Sequence, residues 1–240
     1  MRIFPATGLP EIREGDDLAA LVVDRVTLED GDVLVVAQKA VSKAEGRVVR
    51  LDDIEPSDRA LELAVDDEDP RRTEAILREA VEIVRIRPPL LIVETRHGFI
   101  CASAGVDASN APEPGMLVLL PLDPDASAAR IRDRVRELTG AQVGVIVSDS
   151  FGRPWRQGTT DVALGAAGVR VLEDLRGTRD RIGYELRSTQ IAIADELAGA
   201  AQLVMGKTEG IPAAIVRGIH LTGNGRGSDL VMPRERDLFR

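Results

Sequence analysis

The chain has 240 residues, of which 44% are hydrophobic, enough for one large domain or two small ones with a real core. Its formal charge of -9 argues against nucleic acid as a partner, because binding a phosphate backbone needs a broad basic surface. The N-terminus lacks the apolar core of a signal peptide, and no apolar run approaches the roughly 18 residues that span a bilayer. We therefore expect a cytoplasmic protein with no membrane partner.

Short apolar runs predict five buried strands. The runs are Asp32–Val36, Pro88–Val93, His97–Cys101, Met116–Leu120 and Val143–Val147, and the second and third are expected to pair. Cys101 is the single cysteine and cannot form an internal disulfide. We expect it to act as a small hydrophobe within its strand, in a reducing compartment.

Apolar residues at helical spacing predict three helices. The marker residues are Leu77, Ala80, Val81 and Val84; Ala128, Ile131, Val135 and Leu138; and Ile193, Leu197, Ala201 and Val204. Strands and helices mix without a strict βαβ rhythm, so the expected class is α+β, with mixed sheets and packed helices rather than a Rossmann fold.

Two short runs predict breaks between apolar segments: the acidic Asp66–Asp69 and the proline- and glycine-rich Ala111–Gly115. Neither is long enough to be a linker. We therefore expect a single unit over residues 1–240, which could divide into two subdomains, about 1–62 with 190–240, and about 63–189.

The segment Ser148–Asp161 collects acid, hydroxyl and guanidinium groups directly after a predicted strand. Asp149 and Ser150 are hard oxygen ligands at the expected end of that strand, and Arg153 and Arg156 could hold an anion beside a metal. The alternative is a turn with solvated charges, because glycine and proline recur here.

Trp155 lies within the same polar segment, in a chain whose aromatic content is 2%. It could be a stacking platform for a ligand, although a half-buried anchor is the more common role of such a residue.

Two further segments combine glycine with oxygen donors. Ala104–Asn110 follows a predicted strand and carries Asp107, which could share a divalent cation with Asp149; each aspartate alone could equally cap a turn. Leu203–Pro212 contains Gly206, Lys207 and Thr208, yet a P-loop would need a glycine at position 201, which is alanine, and a preceding strand, where a helix is predicted. Lys207, Thr208 and Glu209 could still contact phosphate and metal by another geometry.

Two N-terminal segments complete the set. Thr7–Pro10 is a turn that exposes backbone N–H groups, and Lys39 and Lys43 follow the predicted strand Asp32–Val36. Each lysine taken alone is better explained as a solvated surface charge.

Five segments, in order, resemble the motifs of the coenzyme F420:L-glutamate ligase family. They are Thr7–Pro10, Val41–Gly46, Ala104–Asn110, Ser148–Pro154 with Arg156–Gly158, and Met205–Pro212. The resemblance implies an enzyme that joins L-glutamate, through a γ-glutamyl amide bond, to the carboxylate side chain of a deazaflavin precursor of coenzyme F420, using GTP. Some relatives carry a fused flavin-dependent reductase, so the chain resembles a standalone enzyme or the N-terminal ligase domain of such a fusion.

The resemblance also implies a homodimer and two divalent ions, Mg²⁺ or Mn²⁺, with K⁺ as an additional candidate. Asp107 and Asp149 would hold one ion, and Ser150 would hold the second with Glu209 or a neighbour in its turn. The implied guanine-nucleotide contacts are Gly8, Leu9, Pro10, Glu11, Gln38, Lys39, Lys43, Asn110, Gly206, Lys207, Thr208, Glu209 and Gly210.

A carboxylate acylates poorly at neutral pH, so we expect GTP to phosphorylate the acceptor first, giving an acyl phosphate with release of GDP, which the glutamate amine then attacks. Arg153 and Arg156 are the predicted catalytic residues, holding the acyl phosphate or substrate carboxylates through bidentate contacts. The alternatives are a non-catalytic Mg-GTP-binding regulatory module and an amide ligase for another carboxylate.

Overall fold

The computed structural model describes residues 1–65 and 68–239. Asp66 and Asp67, in the acidic run predicted as a break, and Arg240 lie outside the described residues. The strands are β1 Arg2–Pro5, β2 Val33–Ala37, β3 Val48–Arg50, β4 Ala80–Arg87, β5 Leu90–Thr95, β6 Ile100–Ala102, β7 Met116–Val118, β8 Gly144–Arg153, β9 Arg156–Ala167, β10 Glu173–Asp174, β11 Gln190–Ile191 and β12 Ala213–Arg217. The helices are α1 Leu18–Val23, α2 Gln38–Ala44, α3 Asp58–Leu63, α4 Pro70–Glu79, α5 Pro124–Thr139 and α6 Ile193–Met205.

A five-stranded sheet in the order β1-β12-β2-β8-β9 forms the centre of the molecule. The pair β2 and β8 is parallel, and the other three pairs in this sheet are antiparallel. The expected α+β class is therefore confirmed, since a doubly wound sheet would be mostly parallel.

The central strands alternate their side chains between two apolar layers, as strand geometry requires. Leu34 and Val36 pack into a cluster with α1 and α5 on one face, while Val33 and Val35 pack with α6 on the other. Both faces of the central sheet are thus covered by helices, which explains the continuous apolar runs in β2 and β8.

A smaller layer stands beside this sheet. It contains the sheet β4-β5-β6, the pair β3-β7 and the helices α3 and α4, around a separate apolar cluster that includes Ile76, Val93 and Leu117. β7 contacts α2, and β6 contacts β8. The layer is therefore anchored where β2 and β8 emerge from the central sheet.

The predicted strands are found, with shifted ends. β5 and β6 pair as expected, although the first begins at Leu90 and the second covers Ile100–Ala102. Cys101 is buried in β6, as predicted. The helices marked by Ala128 and by Ile193 are confirmed as α5 and α6.

The predicted helix through Leu77, Ala80, Val81 and Val84 is wrong beyond Glu79, because strand β4 begins at Ala80. Its β-branched residues lose side-chain freedom in a helix and fit a pleated strand better. Pairing with β5 supplies the backbone partners.

The expected end of a strand at Asp149 and Ser150 is also wrong. β8 continues to Arg153, turns at Pro154 and Trp155, and returns as β9, so most of the polar segment is a β-hairpin. Trp155 has a left-handed backbone, with φ 56°. Its side chain is 83% exposed, so it is not a half-buried anchor. The centroid of its ring lies 4.9 Å from the centroid of the Phe239 ring.

Within residues 1–65 and 68–239, no helix has both the length and the apolar character needed to cross a membrane.

Candidate functional site

Sheet topology brings distant segments to one edge of the central sheet. The parallel strands β2 and β8 end side by side, with Ala37 opposite Ser148. The antiparallel β12 starts beside the end of β2, and the antiparallel β1 ends beside the start of β12. The segments after β1, β2 and α6 therefore meet the polar part of β8 at this edge, where ligands commonly bind in sheets with parallel strands.

A pocket opens at this edge, and we call it the central pocket. Its lining comes from all of the converging segments: Pro10, Glu11, Ile12, Ala37, Gln38, Lys39, Ala40, Lys43, Asn110, Ser148, Asp149, Ser150, Asp161, Gln202, Met205, Gly206, Lys207, Gly210, Ile211 and Pro212. Three lysines and three carboxylates face a shared space, an arrangement suited to phosphate and a cation together.

Two carboxylates that line the central pocket, those of Asp149 and Asp161, lie on the neighbouring strands β8 and β9. Asp161 on β9 lies directly across from Ser150 on β8. It is buried and accepts hydrogen bonds from the hydroxyls of Ser148, at 3.1 Å, and Ser150, at 2.6 Å. These bonds hold both serines in place beside Asp149.

The carboxyl of Asp149 has a raised pKa. Burial raises the pKa of the Asp149 carboxyl to about 6, against a hydrogen bond from the Ser150 backbone and the charges of Lys39 and Lys207, while the Asp161 charge adds to the rise. The positive charges of the protein alone therefore do not offset the cost of burying the ionised Asp149 carboxylate.

Asp107 reaches the edge of the pocket through Lys39. The Lys39 ammonium donates to Asp107 at 2.5 Å and to the backbone oxygen of Ser109 at 3.0 Å. Partial burial works to raise the pKa of Asp107, but bonds from Lys39 and Ser109 outweigh it and lower the pKa to about 2. Asp107 is thus ionised over the whole physiological range and already pairs with a cation.

Lys43 is 8% exposed, so it is not the solvated surface charge that the sequence alone favours. Its ammonium donates to the Glu11 carboxylate at 2.5 Å and to the backbone oxygen of Asn110 at 3.4 Å. The ion pair therefore joins the buried Lys43 ammonium to the exposed carboxylate of Glu11.

Gln38 is 1% exposed at the start of α2. Its amide nitrogen donates to the Ser42 hydroxyl at 2.6 Å and to the backbone oxygen of Leu119 at 2.9 Å. Its amide oxygen accepts a hydrogen bond from no described residue. Because such a buried oxygen is costly, Gln38 is suited to accept from a ligand donor or to contact a cation.

The turn after α6 presents Lys207 to the pocket and turns Glu209 away from it. Gly206 has φ 65°, and the Glu209 carboxylate occupies the place where a Cβ on Gly206 would lie. The backbone N–H of Thr208 donates to Glu209 at 2.9 Å and lowers the pKa of that carboxyl. A glycine is therefore required at position 206 for the turn to close in this form.

The structure brings together most of the predicted site. Nine of the residues expected to contact nucleotide line the central pocket: Pro10, Glu11, Gln38, Lys39, Lys43, Asn110, Gly206, Lys207 and Gly210. The predicted metal ligands Asp149 and Ser150 line it as well.

Other predicted residues lie outside the lining. Gly8 instead accepts a hydrogen bond from Arg25 through its backbone oxygen, and Leu9 packs on the apolar core. Thr208 and Glu209 bond to each other in the exposed turn.

The predicted catalytic residues Arg153 and Arg156 stand exposed at the tip of the β8–β9 hairpin. Arg153 is four residues along β8 from Asp149, which corresponds to about 13 Å of strand. They could reach only a ligand that extends out of the central pocket.

Sequence reasoning missed Ser148, Asp161 and Gln202 as lining residues. Asp161 falls inside the segment that the sequence singles out, but its place opposite Ser150 depends on the register of the hairpin. Treating that segment as a loop hid the pairing.

The oxygen donors around Asp149 fit a divalent cation. Across the described ranges, no three His, Cys, Asp or Glu side chains form a ready-made metal cluster. Mg²⁺ and similar ions commonly use only one or two carboxylates, however, and complete their shell with phosphate oxygens and water. Asp149 with Ser150, and Asp107 if Lys39 moves aside, provide such a partial set.

We expect Asp149→Asn to stabilise the metal-free protein at neutral pH. The pKa of Asp149 rises from 3.8 to about 6 on folding, so its contribution to stability is full below pH 3.8 and is lost as pH rises through 6. Asparagine cannot ionise and escapes this loss. In urea unfolding with chelator, the variant should gain on the order of 2 kcal/mol at pH 7.5 and nothing near pH 4.

Asp133→Asn is the matched control, since Asp133 is exposed on α5 and pairs with Arg132. It should show no gain at either pH. A turn-capping role for Asp149 predicts the opposite of our expectation, a loss of about 1 kcal/mol at pH 7.5. Added Mn²⁺ should stabilise the wild type and leave Asp149→Asn unchanged.

Comparison with known proteins identifies the family of the chain. Residues 7–218 match the sequence model of the family described as F420-0:Gamma-glutamyl ligase. The Coenzyme F420:L-glutamate ligase of Methanopyrus kandleri is 50% identical over 247 residues, covering 100% of this chain and 98% of that protein. The protein of the same name from Archaeoglobus fulgidus is 46% identical over 242 residues, covering 100% and 96%. The resemblance seen in the five motifs is therefore confirmed, and the chain belongs to the F420-0:gamma-glutamyl ligase family.

Proposed function

We propose that this chain joins the amine of L-glutamate to the carboxylate of the deazaflavin precursor of coenzyme F420 through an amide bond, with GTP as the phosphoryl donor. One observation carries the proposal: segments far apart in sequence converge on one pocket that pairs lysines with carboxylate and hydroxyl oxygens. The names of the similar proteins support the ligation of L-glutamate.

The nucleotide phosphates would lie among Lys39, Lys43 and Lys207. Lys43 is already desolvated, so it can act on phosphate without first losing water. Lys39 and Lys43 each hold a carboxylate in the free protein, and these carboxylates must yield when phosphate binds. The unpartnered oxygen of Gln38 is available to a donor of the nucleotide or to K⁺.

One or two divalent ions would be held by Asp149, Ser150 and Asp107. When bound, such ions neutralise charge on the phosphate oxygens and lower the barrier to phosphoryl transfer. Asp161 supports this set indirectly, because its carboxylate accepts from the hydroxyls of Ser148 and Ser150 and orients them.

Amide formation would proceed in two steps. An oxygen of the acceptor carboxylate attacks the γ-phosphorus of GTP, and GDP leaves, which gives an acyl phosphate. The amine of L-glutamate then attacks the acyl carbon, loses a proton and expels phosphate. The lysines would bind and orient the phosphate groups through both steps.

Arg153 and Arg156 stay predicted contacts for the acyl phosphate or the substrate carboxylates. Their exposed positions on the hairpin suit the outer part of a bound substrate. We also propose a homodimer, supported by the exposed aromatic contact between Trp155 and Phe239, since such a surface commonly marks an interface.

Mass analysis of the acceptor tests the proposed reaction. After incubation with GTP, L-glutamate and Mg²⁺ or Mn²⁺, the acceptor should gain the mass of glutamate less water, with matching phosphate release. GTP should support faster turnover than ATP, and equal turnover would contradict the guanine preference. Phosphate release without the acceptor, or no mass gain with it, would favour a nucleotide-binding module or a ligase for another carboxylate.

We expect Lys43→Ala to raise the apparent KM for GTP about tenfold, with a smaller change in kcat, because a lost phosphate contact weakens ground and transition states alike. Arg130→Ala is the control, since Arg130 pairs with Glu45 on the surface away from the pocket. An unchanged KM for Lys43→Ala would show that Lys43 serves only its ion pair with Glu11.

A further inference from the structure

A second cavity adjoins the central pocket, and we call it the side cavity. It has a volume of 680 Å³ and shares Glu11, Ile12 and Lys43 with the lining of the central pocket. Its outer wall comes from the smaller layer, mainly β3 and the residues around β7. A molecule in the side cavity could therefore extend one end past the Lys43–Glu11 pair toward Asp149.

The wall of the side cavity combines an apolar surface with four cationic and four carboxylate side chains. Ile12, Val49, Ile54 and Met116 supply the apolar part. This composition suits a flat ring system that carries an anionic tail, because most of a bound organic ligand is covered by apolar side chains while a few polar groups fix its orientation.

Arg13 is the cation best placed to meet an added anion. Arg50 already pairs with Glu113 at 3.0 Å, and Arg78 pairs with Glu74 at 2.9 Å. The Arg13 guanidinium has no hydrogen bond or ion pair with any described residue; its backbone N–H donates to the Asp16 carboxylate, and its backbone oxygen accepts from the Asp16 N–H. Arg13 can therefore bind an anionic group of a ligand without losing a partner.

We propose that the side cavity binds the deazaflavin acceptor, with its ring against the apolar wall and its anionic side chain held by Arg13. This inference rests on the proposed function. L-glutamate is a poorer match, because it is small, has little apolar surface and would leave most of 680 Å³ unfilled. The carboxylates of Glu14 and Asp53 have no hydrogen bond or ion pair with any residue that the structure describes, and they can accept from the ring N–H group of the acceptor.

Another apolar cavity, lined by Phe99 and Phe151 among others, is less suitable. It shares no lining residue with the central pocket. Its volume of 230 Å³ is also about a third of that of the side cavity, 680 Å³.

A charge series at Arg13 tests the proposal. Arg13 is exposed, so Arg13→Lys, Arg13→Gln and Arg13→Glu should all fold. The KM for the deazaflavin acceptor should rise about tenfold in Arg13→Gln, more in Arg13→Glu and least in Arg13→Lys, since a charge-assisted contact is lost or reversed. The KM values for GTP and L-glutamate should not move, and Arg130→Gln should behave as wild type.

Equilibrium titration of each variant with the acceptor alone, followed by the absorbance of its ring, separates this proposal from the proposed reaction. Binding needs no turnover, so weaker binding in Arg13→Glu supports the site even if no amide forms. Unchanged acceptor binding across the series would overturn the proposal. So would a rise in the KM for L-glutamate or GTP without a change for the acceptor, because the side cavity would then belong to that substrate.

Discussion

The parallel pairing of β2 with β8 is the constraint on which the site depends. Because two parallel strands end at the same edge, the first residues of α2 and the polar part of β8 must meet there. The antiparallel neighbours β12 and β9 then add the turn after α6 and Asp161 at the same level. A sheet of only antiparallel strands would place the ends of β2 and β8 at opposite edges.

The carboxylate charges in the central pocket are not fully compensated by the lysines of the protein. Burying Asp149 beside Asp161 is unfavourable, and the raised pKa of Asp149 records that cost. Lys39 and Lys43 are engaged with Asp107 and Glu11 and cannot fully offset it. A nucleotide with a divalent cation would supply positive charge to the carboxylates and negative charge to the lysines together.

Strands β2 and β8 of the central sheet could be predicted from sequence because they are buried on both faces and form continuous apolar runs, whereas β1, β9 and β12 were not predicted. Asp149, which we propose to bind a metal ion, could be found because it follows such a run. Other features depend on contacts between distant residues. Asp161 becomes part of the site through the register of β8 with β9. The apolar spacing after Glu79 predicted a helix, but the segment forms strand β4 because β5 pairs with it. Glu209 turns away from the pocket because the N–H of Thr208 binds it.

The central sheet and the smaller layer contribute different surfaces to the two neighbouring cavities. The central sheet carries the groups that we propose to bind phosphate, and the smaller layer builds the wall of the side cavity beside it. A ligase that joins two carboxylate-bearing substrates needs both kinds of surface next to each other. Lys43 and Glu11 lie where they meet.

Oxygen transfer tests the central claim, that this pocket activates a carboxylate by phosphorylation. The acceptor would be labelled with ¹⁸O in both carboxylate oxygens and incubated with GTP, L-glutamate and Mn²⁺. An acyl phosphate requires that each amide formed releases one phosphate carrying one ¹⁸O, with the other label retained in the amide. Amide formation with unlabelled phosphate would contradict the account.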